Sequence, residues 1–114
     1  MARYEHLPIY KSALDMAVYF EKIVAKFSRY HKYTLGSELR MMSKRVVIKI
    51  IKVNNAIDKK QFLVDLLELL EEIKVTIHIA KEVKVFHSFS SFEGCVRHLD
   101  SVTRQCSGWL RVRK

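Results

Sequence analysis

Apolar residues recur three and four positions apart along four long stretches of this chain, and polar residues fill the places between. In the first stretch the stripe is Tyr10, Ala13, Ala17, Phe20, Val24 and Phe27, which predicts an amphipathic helix from Pro8 to about Ser28. Pro8 suits a first turn, where its missing N–H costs nothing. Lys11, Asp15, Lys22 and Lys26 fall off the stripe and are expected in solvent. The second stretch, Tyr33–Asn55, repeats the pattern at Leu35, Leu39, Met42, Val46, Ile50 and Val53, with Thr34 placed to cap the helix start and Glu38 in its first turn. In the third, Leu63, Leu66, Leu70, Ile73, Ile77 and Ala80 form the stripe. Asp58 with Gln61 reads as its capping box, and Ile57 with Phe62 as a hydrophobic staple. In the fourth the stripe is Phe92, Val96, Leu99, Thr103, Cys106 and Leu110, with Trp109 beside it and Ser90 and Glu93 as a capping box.

Four helices of roughly twenty residues with short connections predict an all-α fold, an up-down-up-down four-helix bundle filling residues 1–114 as a single domain. The β-branched runs VVIKIIKV and KVTIHIAKEVKV also read as strands, but both sit inside longer three-four stripes, which favours helix. The basic, aromatic connector Arg29–Tyr33 (RYHKY) has two readings. Its aromatics can stack on nucleic acid, or its tyrosines can staple two helix ends together, and stapling is the preferred one.

The second helix is apolar on more than one side. Val47 and Ile51 make a second strip, and Met41 and Ile48 lie a quarter-turn away. A helix that is greasy nearly all round needs more neighbours than one small protomer supplies, so Met41, Val47, Ile48 and Ile51 are the expected oligomer interface. Between the strips stand Arg40, Lys44, Arg45, Lys49 and Lys52 against a single acid, Glu38.

Charge sharpens this picture. The net charge is +9 and the pI about 9.7, which points to an anionic partner. Nucleic acid comes first and an acidic membrane surface next, with plain solubility charge as the bland alternative. On the fourth helix Arg97, Arg104 and Arg111 repeat every seven residues opposite the apolar stripe, and Arg113 and Lys114 follow. Glu93 and Asp100 stand four residues before Arg97 and Arg104 and can neutralise them. The third helix is acidic, with six acids and four bases over Asp58–Val83, which favours charge matching with the basic second helix. The candidate nucleic-acid contacts are therefore Arg40, Lys44, Arg45, Lys49, Lys52, Arg97, Arg104, Arg111 and Arg113.

No apolar run is long enough to span a bilayer, and MARYEHLPIY lacks the apolar core of a signal peptide, so no membrane is expected and a cytoplasmic location follows by default. Cys95 and Cys106 are eleven residues apart, about 16 Å along one helix face, which is too far for a disulfide. They are expected to be reduced, half-buried fillers. Catalytic patterns are missing: HExxH, GxSxG, GxxxxGK and GxGxxG do not occur. His6, His31, His78, His87 and His98 are scattered without metal-ligand spacing, and His78, between Ile77 and Ile79, reads as a packed side chain. No catalytic residue, metal or cofactor is expected.

LPIYKSALDMAVYFEKIVAKFSRYHKYTLGSELR and SFSSFEGCVRHLDSVTRQCSGWLRVRK together resemble the Avd family, the accessory variability determinants of prokaryotic diversity-generating retroelements, over nearly the whole chain. The core at Lys26, Phe27 and Tyr33–Arg40 (KF…YTLG..LR) is shared with a wider four-helix-bundle family that includes proteins encoded in intervening sequences of large ribosomal RNA genes. Arg104–Leu110 (RQCSGWL) is particular to the Avd branch. Where the wider family continues with a segment like SIPANIAEG, this chain has MSKRVVIKIIKVNNA, which favours Avd. The resemblance implies a homopentameric barrel of four-helix protomers with a basic surface and no catalytic activity of its own. It also implies binding to the element's reverse transcriptase and to template RNA and cDNA, in support of mutagenic retrohoming. The alternative is a general bundle of the wider family that binds RNA or another partner with no retroelement. A four-helix ribonuclease of the HEPN class is disfavoured, because no arginine is followed four to six residues later by a histidine.

Overall fold

The computed structural model describes residues 3–112. A 3-10 turn at Tyr4–His6 leads into α1 (Pro8–Val24), followed by a single helical turn α2 (Arg29–Lys32) and three long helices: α3 (Leu35–Asn55), α4 (Lys60–Glu82) and α5 (Phe89–Arg111). No strand occurs among the described residues, so both β-branched runs are helical, the second as far as Glu82. Helix α1 packs on α3 and α5, and α4 packs on the same two, so α3 and α5 occupy diagonal corners. Short connections make neighbours run antiparallel, in a bundle of 43 × 22 × 21 Å. No described helix is long and apolar enough to cross a membrane.

The four stripes meet in a continuous core, from Met16 and Phe20 of α1 through Leu39, Val46 and Ile50 of α3 and Leu63, Leu66 and Ile73 of α4 to Leu99, Val102 and Cys106 of α5. Fully burying one such aliphatic side chain stabilises the fold by about 1.5–3 kcal/mol, which fixes each helix's rotation and therefore what it turns outward. The expected stripes are right to within one neighbouring row. Ile9, Met16 and Ile23 are buried in α1, whereas Tyr10 and Ala17 are only half-buried; in α5 Cys95 and Val102 are buried, whereas Phe92, Val96, Thr103 and Leu110 are half-buried.

Helix ends depart further from expectation. Helix α1 stops at Val24 rather than Ser28, and the chain turns while Phe27 stays buried. Thr34 caps nothing: its hydroxyl donates back to the Tyr30 carbonyl at 3.0 Å. The Asp58–Gln61 box and the Ile57–Phe62 staple do not form. Asp58 accepts only from the Lys60 N–H, Gln61 donates to Asp65, Ile57 is fully exposed and Phe62 is 43% exposed. In their place Lys59 donates its ammonium to the carbonyls of Val53, Asn54 and Ala56, closing the C-terminus of α3, where the helix dipole favours a cation. The cap of α5 is Ser88, two residues before the expected Ser90, and its hydroxyl accepts from the Ser91 N–H at 3.1 Å.

Two close approaches lock the helices together. A Cβ on Gly36 would come within 2.7 Å of Val24 and 3.0 Å of the His31 carbonyl, so glycine lets α3 press against the α2 turn. A Cβ on Gly94 would collide with the Tyr19 ring, which crosses from α1 and stacks on His98 at 4.7 Å.

Candidate nucleic-acid interface

Every α5 candidate among the described residues points away from the core. Arg97, Arg104 and Arg111 are all exposed, spaced two turns apart along about 21 Å of one edge. Cys95, Leu99, Val102 and Cys106 hold the opposite edge in the core, so the row cannot turn inward without exposing them. Glu93 and Asp100 are exposed as well, but neither closes an ion pair with Arg97 or Arg104 among the described residues. Arg113 lies outside the described residues.

On α3, Lys44, Arg45 and Lys52 are exposed and Lys49 is half-buried. Arg40 is already engaged, since its Nε donates to Glu21 of α1 at 3.0 Å. This pair is solvent-exposed and worth little to stability, but it occupies the guanidinium and marks the α1–α3 seam. Among the four expected interface residues the structure makes a division. Val47 packs against the protomer's own core and Ile51 is half-buried, whereas Met41 and Ile48 are 56% and 40% exposed beside Lys44, Arg45 and Lys52.

The two basic rows do not converge. Because α3 and α5 are diagonal, their outer faces look in opposite directions across a bundle about 21 Å wide. Nor does α4 neutralise α3. Glu68, Glu71, Glu72 and Glu82 are exposed, and among the described residues the one ion pair joining two long helices is Arg40–Glu21. The expected charge matching between α3 and α4 is therefore absent within the protomer. Both helices are rotated by their core stripes so that their charges face solvent, not each other. The outer face of α4 also carries exposed Val75 and Ile79 among its glutamates.

The remaining reactive groups are held quiet. Cys95 and Cys106 are fully buried, not half-buried as expected, and burial pushes both thiols up to about 12, so they stay protonated and unreactive at neutral pH. His78 is exposed, with its ring 6.1 Å from that of Phe92, contrary to the packed role expected of it. A cleft of about 290 Å³ between α1 and α5 brings Ser12, Asp15, Arg97, His98 and Ser101 together, which the sequence did not suggest. No nucleophile–base pair is wired there. Ser12 accepts from Gln105 at 2.8 Å, and Asp15 accepts from Lys11 at 2.9 Å. His98 is held below its ordinary pKa, mainly by burial and also by Arg97, with Asp15 acting the other way. Among the described residues no three of His, Cys, Asp and Glu converge as a metal-ligand set.

Fold and surface together define an all-helical bundle with two outward basic edges on opposite sides. No protein-family model matches the chain, and no curated protein matches it.

Proposed function

We propose that this chain is a non-enzymatic accessory protein of a diversity-generating retroelement. It acts in the cytoplasm as a self-assembling helical scaffold that holds the element's reverse transcriptase with template RNA and cDNA. The resemblance at Lys26–Phe27, Tyr33–Arg40 and Arg104–Leu110 supports the retroelement assignment, and the all-helical bundle is consistent with it. The observation that carries nucleic-acid binding is the row Arg97, Arg104 and Arg111, exposed and without an ion-pair partner among the described residues. Cations fixed on a rigid helix neutralise phosphates and release counterions without any base reading.

Self-assembly is supported by two exposed faces that complement each other. Met41 and Ile48 sit among Lys44, Arg45 and Lys52 on α3, and Val75 and Ile79 sit among Glu68, Glu71, Glu72 and Glu82 on α4. Docking the first face of one copy on the second face of another buries apolar surface and pairs the charges. Such a head-to-tail contact closes into a ring when its rotation permits, in keeping with the homopentamer that the resemblance implies. In this arrangement α3 is spent on assembly, and α5 is left free for nucleic acid.

The test is co-purification with the reverse transcriptase encoded beside this chain's gene. A complex that survives nuclease treatment supports the retroelement reading. Separation of the two, or a complex lost with nuclease, leaves a nucleic-acid-binding bundle of the wider family sharing the KF…YTLG..LR core.

A further inference from the structure

The connectors at one end of the bundle form a surface that neither basic helix row includes. The α1–α3 connector and the α4–α5 connector meet there, with the rings of Phe27 and Phe86 5.6 Å apart and at right angles. Phe86 continues to Phe92 at 5.7 Å, and Phe92 to Phe89 at 5.7 Å. These contacts anchor both connectors to the core through the buried Phe27 and Val85. Three aromatic side chains of this end are nevertheless left in solvent: Tyr30 is 72% exposed, Tyr33 68% and Phe89 64%. The tyrosines of RYHKY therefore do not staple the helix ends. That work is done by Phe27 and by Gly36, which seats α3 directly against His31 and Val24.

The connectors that carry these rings are rich in cations. Within residues 26–34 and 81–89 there are five, Lys26, Arg29, Lys32, Lys81 and Lys84, against one acid, Glu82. Lys81 holds its ammonium 5.0 Å from the centre of the Phe92 ring and 6.0 Å from that of Phe89. Lys84 occupies a backbone position that glycine normally fills. With φ at 62° it is the left-handed residue closing α4, its N–H bonded to the Lys81 carbonyl and the Val85 N–H to the Ala80 carbonyl. A side chain at this position carries a conformational cost that glycine would not, and here that side chain is a cation facing an aromatic end.

We propose that this end of the bundle is a stacking platform for single-stranded nucleic acid, in which unpaired bases lie on Tyr30, Tyr33 and Phe89 while the surrounding lysines and Arg29 hold the phosphates. Exposed rings interleaved with cations on a pre-shaped surface are what base stacking requires, and a duplex hides its base faces from such rings. The proposal rests on the nucleic-acid reading above and adds to it a preference for unpaired strands and a place for them.

The experiment uses the full chain with a fluorescent 20-nucleotide oligo-U and, as comparison, a blunt 20-base-pair duplex RNA, both read by anisotropy. Tyr30→Leu, Tyr33→Leu and Phe89→Leu keep an apolar side chain at exposed positions, with circular dichroism confirming the fold. Each is expected to weaken oligo-U binding roughly 5- to 150-fold, while duplex binding stays within about twofold. Tyr30→Phe should bind oligo-U as the parent does. Oligo-U carrying 4-thiouridine should cross-link to peptides containing residues 30–33 or 89. Equal loss on both ligands, no loss on oligo-U, or cross-links only to α5 peptides from Arg97 onward would overturn the platform while leaving phosphate binding by Arg97, Arg104 and Arg111 standing. A parent protein that binds neither ligand overturns both readings. Leucine variants that change native mass but not affinity overturn the platform too, and place these rings between subunits.

Discussion

Helices α3 and α5 are both basic on their outer faces, but their companions on those faces differ. Among the cations of α3 stand the exposed apolar side chains Met41 and Ile48. Beyond Phe89 at its first position, the exposed residues of α5 beside its arginines are all polar: Ser90, Glu93, Asp100 and Ser107. An apolar patch inside a ring of charge gains by being covered, with the surrounding charges selecting the partner, whereas a wholly polar cationic edge is already stable in water and gains only from an anion. Positive charge thus stands in two different settings, with a net +4 on α3 and +1 on α5. The neighbours of a lysine or arginine, not its own charge, distinguish the two faces.

Charging the apolar patch of α3 should have the largest effect. Met41→Asp with Ile48→Asp should reduce the assembly to monomer, measured by light scattering. Because both side chains are exposed in the protomer, the far-ultraviolet dichroism should not change. Retention of the parent mass would remove α3 from the interface. Charge reversal on one side only, Lys44→Glu with Arg45→Glu, should weaken assembly, and Glu68→Lys with Glu72→Lys should restore it if α4 is the partner face.

On α5, replacing Arg97, Arg104 and Arg111 together with glutamine should lower affinity for single strands. The slope of log affinity against log salt should flatten by about 2, since each lost phosphate contact contributes about 0.7. An unchanged slope would mean that this row does not touch phosphate. The same three changes should leave native mass alone, which is the converse of the α3 result.

The inner faces differ too, and alkali should reveal it. The thiols of Cys95 and Cys106 in α5 are raised from the ordinary value near 9 to about 12 by burial, so folding favours their protonated form. Their contribution to stability is complete below pH 9 and is lost as pH rises toward 12. At the corresponding depth α3 has Val46 and Ile50, which do not titrate. Hydrogen exchange at matched intrinsic rate should therefore show α5 losing protection before α3 across this window. Simultaneous loss in both helices would mean that the bundle opens only as a whole.

The smallest effect is expected at the one ion pair that joins two long helices. Arg40→Ala should change stability by no more than about 1 kcal/mol in urea melts, because Arg40 and Glu21 are both solvent-exposed and screened. A larger loss would show that the seam between α1 and α3 depends on it.

Much of the fold was legible in the chain because a 3.6-residue period is a local property. Leu63, Leu66, Ile73 and Ile77 announce their shared face whatever surrounds them, and the glycine-poor, proline-poor sequence has few places to stop a helix. The outward direction of Arg97, Arg104 and Arg111 followed from the same period. Helix ends were less legible, since a cap depends on the path of the entering chain. Ser88 and Ser90 are equally good residues for the task, and only the bend after Val85 chooses between them. The lysine that closes α3 acts from six residues beyond Val53, a reach that no local motif encodes.

The number of long helices, the inner face of each to within a row, the positive charge of α3 and α5 and the acidity of α4 are all written in the chain's own pattern. These depend on residue type and spacing along one strand. Only the packed structure decided that the charges of α3 and α4 miss each other, that Tyr19 of α1 lies on Gly94 and His98 of α5, and that Tyr30, Tyr33 and Phe89 are left in solvent. Those relations join residues far apart in the chain, and they are set by which helix packs beside which and by the rotation that core burial imposes on each.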